Sequence, residues 1–200
     1  MDLFNPEIER NILPYDGTAF YHGTVLKAAE AQYYFEKLIQ DDNFKNDEVI
    51  IFGKRIVTKR KVAWYGDTNY RYTYSNTTKQ AHLWSPELLA LKKIVENNSG
   101  TAFNSCLLNL YHDGDEGMTW HSDNESPLGK NPIIASLSLG AARKFSFKHK
   151  TTKATVSILL DPGSLLLMKD ETQTHWAHQL PKSKKVRQPR INLTFRTIIG

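Results

Sequence analysis

The chain has 200 residues, of which 40% are hydrophobic and 24% charged, and its formal net charge is +5. These values are typical of one globular domain over residues 1–200, and the nine tyrosines and nine phenylalanines argue against disorder. The single cysteine, Cys106, excludes an internal disulfide and a cysteine-rich zinc site. No apolar run approaches the roughly 20 residues of a membrane span and no basic signal-peptide start is present, so we expect a soluble, monomeric, intracellular protein.

Residues 1–48 are predicted to form an N-terminal arm followed by a helix. Two prolines and a glycine interrupt the first part, which indicates short strands lying on the body of the protein. In Lys27–Gln40 the apolar residues recur at spacings of three and four, which is typical of a helix, and Thr24 is available as its cap. A second helix is predicted to begin at Ser85-Pro86-Glu87, where serine caps the helix and proline takes its first position, and to end by Gly100.

Residues 49–80 combine strand-forming residues with cations and aromatic rings. Two apolar runs flank Phe52-Gly53-Lys54 and predict a hairpin with its tip at that tripeptide. Five of the eight residues from Lys54 to Lys61 are basic, and five aromatic residues follow by Tyr74. A nucleic-acid surface needs cations that neutralise phosphates and rings that stack on unpaired bases. An edge hairpin whose lysines prevent aggregation would show the same pattern.

The pattern changes in residues 102–200 to short apolar or alternating runs separated by turn residues. The predicted strands are Phe103–Tyr111, Ile133–Leu139, Lys144–Phe147, Ala154–Leu160, Ser164–Met168, Thr174–His178 and Arg190–Ile198. Seven short strands after two helices predict an α+β, mainly β fold, in which two sheets form a sandwich or barrel and the helices pack outside one sheet.

The tripeptide His121-Ser122-Asp123 carries a possible pair of metal ligands. In an extended segment, residues two apart point the same way, so the imidazole and the carboxylate could hold one ion. With a second histidine they would form the facial triad that binds ferrous iron and leaves coordination sites open. Solvated turn residues would give the same tripeptide.

The second histidine is expected from Thr174–His178. His175 and His178 are three residues apart, so a regular strand would place them on opposite faces and only one would reach the interior. Spacing does not choose between them. The histidines that the pattern favours less are His22, His82, His112 and His149.

The last predicted strand has one polar and one apolar face. Its polar side chains alternate with apolar ones over Arg190–Arg196. The polar face could lie in water, or it could line a barrel in which two guanidinium groups bind a dicarboxylate. Asn109 and Tyr111 likewise share one face of their strand, and both can donate hydrogen bonds to a carboxylate.

These residues together resemble the signature of a known family. Asn109-Leu110-Tyr111, His121-Ser122-Asp123, His178 and Arg190–Arg196 are similar to the motifs of the AlkB family of Fe(II)/2-oxoglutarate-dependent dioxygenases, most of all to its branch that repairs double-stranded DNA. The resemblance extends from about Ile51 to Ile198. It implies a double-stranded β-helix, or jelly-roll, over residues 102–200, with residues 49–80 as the nucleotide-recognition hairpin.

The resemblance also implies roles in an iron and co-substrate site. His121, Asp123 and His178 would be the iron ligands, and 2-oxoglutarate and O2 the co-substrates. Arg196 would meet the carboxylate of 2-oxoglutarate that lies far from the iron. The other residues expected to line that pocket are Asn109, Tyr111, Arg190, Asn192 and Thr194.

The substrate implied by the resemblance is an alkylated base in DNA, duplex or single-stranded. Phe52 would wedge into the duplex where a base is flipped out. The other residues expected at the substrate are Gly53, Lys54, Arg60, Tyr72, Thr73, Tyr74, Asn124 and Glu125. Asn124 stands where that branch has an acid, so a cationic methylated base would be held less strongly.

The reaction implied is hydroxylation of the N-methyl group of 1-methyladenine or 3-methylcytosine, with release of formaldehyde. Alternatives within the family are demethylation of RNA and repair of etheno adducts. An alternative of another class is a jelly-roll that binds nucleic acid without catalysis.

Overall fold

Strands dominate the regular structure, as the apolar and alternating runs predict. In the computed structural model, which describes residues 10–51, 54–74 and 77–199, the strands are β1 (Thr18–Thr24), β2 (Lys45–Ile51), β3 (Lys54–Gly66), β4 (Arg71–Tyr74), β5 (Thr77–Gln80), β6 (His82–Leu83), β7 (Ser105–Tyr111), β8 (Met118–His121), β9 (Ile134–Gly140), β10 (Arg143–His149), β11 (Thr155–Leu160), β12 (Ser164–Lys169), β13 (Trp176–Leu180) and β14 (Arg190–Arg196). The helices are α1 (Ala28–Leu38), α2 (Pro86–Ser99) and the single turn α3 (Thr172–His175), with a 3-10 turn at Ser126–Leu128.

Two antiparallel sheets form the body of the protein. The major sheet has the strand order β1-β12-β9-β14-β7-β3-β2, and the minor sheet has the order β11-β10-β13-β8. Side chains from both sheets, among them Tyr111, Phe147 and Trp176, form one buried apolar cluster. The predicted mainly β fold with a jelly-roll core is confirmed.

The two long helices cover the other face of the major sheet, as predicted. Leu88, Leu91 and Val95 of α2 are buried in a second cluster with Leu108 of β7 and Leu193 of β14. The helices thus supply the apolar contacts for one face of the central strands of the major sheet. The face turned toward the minor sheet can therefore carry polar groups.

The helix ends confirm one predicted cap and contradict another. The Ser85 hydroxyl accepts a hydrogen bond from the Leu88 N–H (3.3 Å), which caps α2 as predicted. Thr24 does not cap α1, because it ends β1 and pairs with Ser164. The Glu30 carboxylate instead accepts a hydrogen bond from the N–H of the residue before α1 (2.9 Å).

The predicted strand Thr174–His178 is wrong in its first half. The chain makes the helical turn α3 through His175, and β13 begins only at Trp176. The short strand β8, which ends at His121, was not among the predicted strands. Along the described part of the chain, no helix has the length and apolarity needed to cross a membrane.

The predicted hairpin is part of the major sheet. Within β3, Lys61–Gly66 pairs with β7, and Lys54–Val57 pairs only with β2. The major sheet also contains β1, so it extends beyond residues 102–200. The outer half of the hairpin therefore projects past the sandwich, where Ile56 and Val57 are exposed although their side chains are apolar.

Candidate metal and co-substrate site

Three potential metal ligands meet where β8 and β13 pair. His121 lies directly opposite His178 in the ladder, and their ring centroids are 4.2 Å apart. Asp123 follows just after β8, and its Oδ1 is 3.8 Å from His121 Nε2 and 3.9 Å from His178 Nε2. An ion between atoms at these separations is about 2 Å from each, the length of a metal bond to imidazole or carboxylate. We call these three residues the inner triad.

Both imidazoles of the inner triad can offer a lone pair. His121 Nδ1 is 2.8 Å from the Thr119 carbonyl oxygen. A carbonyl oxygen only accepts, so Nδ1 carries the proton and Nε2 is left as the ligand atom. Burial lowers the pKa of His178 to about 4, against the opposing effect of Asp123, so this imidazole is neutral at pH 7.

The carboxylate of the inner triad is ionised. Burial acts to raise the pKa of Asp123, but the positive charge of Arg196 above all, with smaller contributions from His178 and His121, outweighs burial and holds that pKa below its ordinary value. The His121 side chain is 31% exposed, which gives the site an open side. Two imidazoles and one ionised carboxylate with an open side fit the facial triad of Fe(II).

A second group of two histidines and an aspartate does not offer the same ligands. Potential ligand atoms of Asp16, His149 and His175 lie within 4.8 Å of one another, and we call these residues the outer triad. His149 Nδ1 accepts hydrogen bonds from the N–H groups of Thr151 (3.3 Å) and Thr152 (3.0 Å). The proton must then lie on Nε2, the atom that faces Asp16, so no lone pair points to an ion.

A row of polar side chains on β14 lines the interior of the sandwich. Arg190 Nη2 donates to Ser138 Oγ (2.9 Å) and to Asn192 Oδ1 (2.8 Å), and Asn192 Nδ2 donates to Thr194 Oγ1 (2.8 Å). Arg190, Thr194 and Arg196 are each less than 10% exposed. The polar face of this strand therefore looks inward, and the alternative of a face in water is wrong.

Arg190 is a buried cation with unused donor capacity. Its Nε has no hydrogen-bond partner among the described residues. Burial lowers the pKa of Arg190 to about 10, and the nearby positive charge of Arg143 acts in the same direction while Tyr111 opposes it. A bound carboxylate would supply both the missing acceptor and the missing negative charge.

Arg196 lies on the metal side of the row. Its Nη1 is 3.3 Å from Glu125 Oε1, and its charge lowers the pKa of Asp123, a ligand of the inner triad. Arg190 lies at the other end of β14, which begins at Arg190 and ends at Arg196. The role that the resemblance gives Arg196, contact with the far carboxylate, stays a prediction, and the arginine remote from the triad is Arg190.

Asn109 and Tyr111 of β7 lie among arginines. The guanidinium groups of Arg143 and Arg190 both lie near the Tyr111 ring, with their Cζ atoms 5.8 and 5.7 Å from its centroid. Asn109 Oδ1 accepts a hydrogen bond from Arg60, which fixes the orientation of the amide because a guanidinium can only donate.

Arg60 does not lie on the exposed basic surface as expected. Its side chain is buried and forms an ion pair with Asp47. A buried guanidinium needs acceptors, and Asp47 and Asn109 provide them. Arg60 therefore supports the predicted co-substrate pocket rather than presenting its charge to DNA.

Arg143 joins two loops beside the site, the first between β7 and β8 (residues 112–117) and the second between β13 and β14 (residues 181–189). It donates to the carbonyl oxygens of Asp113 (3.2 Å), Glu116 (2.8 Å) and Pro181 (2.9 Å). The loops also touch at Gly114, where an added Cβ would lie 1.9 Å from the Ser183 carbonyl oxygen. The second loop exposes four cations, Lys182, Lys184, Lys185 and Arg187. Arg143 thereby holds this basic loop against the segment that leads to His121.

Several predicted substrate residues are not described. Phe52 and Gly53 lie outside the described residues, and so do the side chains of Lys54, Tyr72, Thr73 and Tyr74. Asn124 is exposed beside the inner triad.

The less favoured histidines have other surroundings. His112 Nδ1 contacts the Glu116 carboxylate (2.9 Å), and His149 belongs to the outer triad. His22 lies in β1, and His82 is exposed on β6. His178 is the histidine that joins His121 and Asp123.

Sequence reasoning missed Gln173, whose Oε1 accepts a hydrogen bond from the Asp123 N–H (2.9 Å). It also missed Arg143 and the pairing of Arg60 with Asp47. No short motif marks these residues, because each acts on a partner distant in the chain. Only the alternation along β3, which turns Arg60 inward between exposed Lys59 and half-buried Lys61, could have shown one of them.

Comparisons with known proteins agree with this site. The sequence profile of the 2OG-Fe(II) oxygenase superfamily matches residues 17–196. Alpha-ketoglutarate-dependent dioxygenase alkB homolog 3 of Bos taurus is 43% identical over 178 residues, which is 84% of this chain and 62% of that protein. The chain thus spans less than two thirds of this relative.

Relatives with another name are covered more fully. DNA oxidative demethylase ALKBH2 of Homo sapiens is 40% identical over 182 residues, or 86% of this chain and 70% of that protein. DNA oxidative demethylase ALKBH2 of Mus musculus is 36% identical over 209 residues, or 99% of this chain and 87% of that protein.

Solved structures show the same fold at low sequence identity. The structure of OsALKBH1 matches with a TM-score of 0.63 and 16% identity, covering 92% of this chain and 99% of that one. A prolyl hydroxylase from Trichoplax adhaerens, in complex with a peptide of the hypoxia inducible factor, matches with a TM-score of 0.58 and 14% identity, covering 90% and 83%. The superfamily uses Fe(II), 2-oxoglutarate and O2, and the inner triad fits the metal. The chain belongs to the 2OG-Fe(II) oxygenase superfamily and, within it, to the AlkB family.

Proposed function

We propose that the protein is an oxidative DNA demethylase that removes the methyl group from N-methylated bases such as 1-methyladenine and 3-methylcytosine. The observation that carries this proposal is the inner triad, in which two imidazoles and an ionised carboxylate converge at one open side. The relatives named DNA oxidative demethylase, at 36 and 40% identity, support DNA as the substrate.

The residues that would hold the iron are His121, Asp123 and His178. When bound, Fe(II) and 2-oxoglutarate activate O2, so that one oxygen atom converts the co-substrate to succinate and CO2 and the other hydroxylates the methyl group, which leaves as formaldehyde. The protein keeps His178 neutral and the Asp123 carboxylate charged, which is the protonation state that a divalent cation needs.

The two arginines of β14 would bind opposite ends of 2-oxoglutarate. Arg190, remote from the triad and with an unpaired Nε, would bind the far carboxylate. Arg196, whose charge already reaches Asp123, would lie at the end that meets the metal. Tyr111 and Asn109, held by Arg143 and Arg60, are placed to donate to the same ligand.

The DNA would approach along the cations outside the site. The methyl group lies on the Watson–Crick edge, which a duplex buries, so the base must leave the stack. The basic loop, with Lys182, Lys184, Lys185 and Arg187 exposed, would bind phosphates without reading sequence. The resemblance assigns Phe52 as the wedge that fills the gap left by the base.

Mass spectrometry of an oligonucleotide that contains 3-methylcytosine tests the proposal. We expect the methyl group to be lost from single- or double-stranded DNA when iron, ascorbate, 2-oxoglutarate and O2 are all present, and to be retained when 2-oxoglutarate is omitted. Succinate formation without any loss of methyl from DNA would contradict DNA as the substrate. Methylated RNA run in parallel identifies the alternative.

A substitution in the hairpin tests how the base is reached. Phe52→Ala should impair demethylation of duplex DNA far more than of single strands, because a wedge matters only where stacking must be broken. Equal losses on both substrates would remove Phe52 from that role.

A further inference from the structure

The turn α3 links the two strands that supply the inner triad. The Thr172 hydroxyl accepts a hydrogen bond from the Thr18 N–H (2.8 Å) and donates to the Lys169 carbonyl oxygen (2.6 Å). Lys150 Nζ donates to the Gln173 carbonyl oxygen (2.7 Å). The turn is thus tied to three separate parts of the chain, and it leads within three residues to His178.

The Gln173 side chain points from this turn to the other triad strand. It is 3% exposed, and its Oε1 accepts a hydrogen bond from the Asp123 N–H at 2.9 Å. Its Nε2 lies 3.7 Å from the Met168 sulfur, a weak acceptor, so the bond to Asp123 is the stronger restraint on the amide. Beside it, Ser122 Oγ donates to the Trp176 carbonyl oxygen (3.0 Å).

The Asp123 N–H has no acceptor in the β-ladder, because β8 ends at His121. A buried N–H without an acceptor is strongly disfavoured, so the loop would shift to find one if the Gln173 amide were absent. Any such shift would move the Asp123 carboxylate away from the two imidazoles.

We infer that Gln173 is a positioning residue, whose amide fixes the backbone of Asp123 and so sets the affinity of the inner triad for its metal ion. The inference rests on the metal-binding role of the triad in the proposed function. Its consequence is that one helical turn aligns two ligands, His178 through the chain itself and Asp123 through a side-chain hydrogen bond.

Three substitutions in this turn test the inference through binding of Mn(II), measured by calorimetry without DNA. Gln173→Met keeps the length of the side chain but removes the acceptor, and we expect binding to weaken by about 10- to 100-fold, as for other residues that orient metal ligands. Gln173→Glu keeps an oxygen acceptor and should restore most of the affinity. Thr174→Ala changes an exposed residue of the same turn and should leave it within about twofold of the parent.

Turnover supplies a second readout. In Gln173→Met the Fe(II) concentration for half-maximal rate should rise, while the rate at saturating iron stays close to that of the parent. A purely structural role would instead lower the unfolding temperature of the metal-free protein without this split. Should Gln173→Met fail to fold, Gln173→Asn, whose amide is one methylene too short to reach Asp123, replaces it with the same expected loss.

Two results would overturn the inference: Mn(II) affinity within twofold of the parent in Gln173→Met, or equal losses in Gln173→Met and Thr174→Ala. Because calorimetry needs no DNA, an inactive parent that still binds Mn(II) would contradict only the proposed function. A parent that binds no Mn(II) would contradict both.

Discussion

The inner and outer triads contain the same residue types and differ in where their protons lie. In each, two histidines and an aspartate bring ligand atoms within 4.8 Å of one another. His121 Nδ1 donates a hydrogen bond to a carbonyl oxygen, which leaves the lone pair of Nε2 free for an ion. His149 Nδ1 instead accepts hydrogen bonds from two N–H groups, which leaves the proton on Nε2, the atom near Asp16. Proximity of potential ligands therefore does not define a metal site. The hydrogen bond made by Nδ1 of each histidine decides whether its Nε2 offers a lone pair or a proton to an ion.

The two aspartates also differ in their surroundings. The Asp123 side chain is 12% exposed and lies in the field of Arg196, whereas the Asp16 side chain is 53% exposed. Asp16 Oδ2 is 3.2 Å from His149 Nε2 without the alignment of a hydrogen bond. Water therefore competes with any cation for the Asp16 carboxylate, whereas the Asp123 carboxylate is shielded from water and can bind a cation more strongly.

Removal of one histidine from each triad should give the largest contrast. We expect His178→Ala to abolish 2-oxoglutarate turnover, measured as succinate, because two remaining ligands cannot hold the ion with the right sites open. His149→Ala and His175→Ala should keep turnover, and the parent should bind one Mn(II) per chain. Full activity of His178→Ala with iron retained, or loss of activity in His175→Ala, would reverse the assignment of the triads.

Removal of the buried arginine remote from the inner triad should have the next largest effect. Arg190→Met should raise the KM for 2-oxoglutarate by roughly 100-fold, about 3 kcal/mol, because it removes charge-assisted hydrogen bonds to a buried carboxylate. Arg190→Lys keeps the charge without the planar fork and should lie between the parent and the methionine variant. An unchanged KM in Arg190→Met would assign the far carboxylate to Arg196, as the sequence resemblance alone implies.

Acid should destabilise the metal-free protein through His178. The unfolded chain protonates this histidine near pH 6.5, and the folded protein only near pH 4, so stability is lost as the pH falls between these values. The loss should be roughly 3 kcal/mol in urea unfolding. His178→Asn should flatten this part of the pH profile, and an unchanged slope in that variant would assign the acid sensitivity to other groups.

Asp16→Asn should have the smallest effect. Its exposed contact with His149 should contribute less than about 1 kcal/mol to stability, as measured by urea unfolding. The affinity for Mn(II) should not change, because the outer triad offers no site. A clear fall in Mn(II) or Zn(II) stoichiometry in this variant would show that the outer triad binds metal.

Part of the fold and of the inner triad could be predicted from the sequence. The alternation of Arg190–Arg196 predicted both faces of β14, since a period of two follows directly from strand geometry. Spacing could not choose between His175 and His178, because strand geometry says only that residues three apart face opposite ways. The chain in fact makes a helical turn through His175 before the strand begins. The tautomers of the two triads could not be predicted either, since they depend on backbone groups whose positions only the folded chain fixes.

The hydrogen bonds of Arg143 have a consequence for how DNA would be positioned. They make the basic loop and the segment before His121 one mechanical unit, joined through three carbonyl oxygens. Under the proposed function, a phosphate bound by Lys182 or Lys184 would be held next to the segment that leads to the ligand His121. The phosphate contact and the metal site would then move as one body, so the contact would place the strand at the site without reading the neighbouring bases.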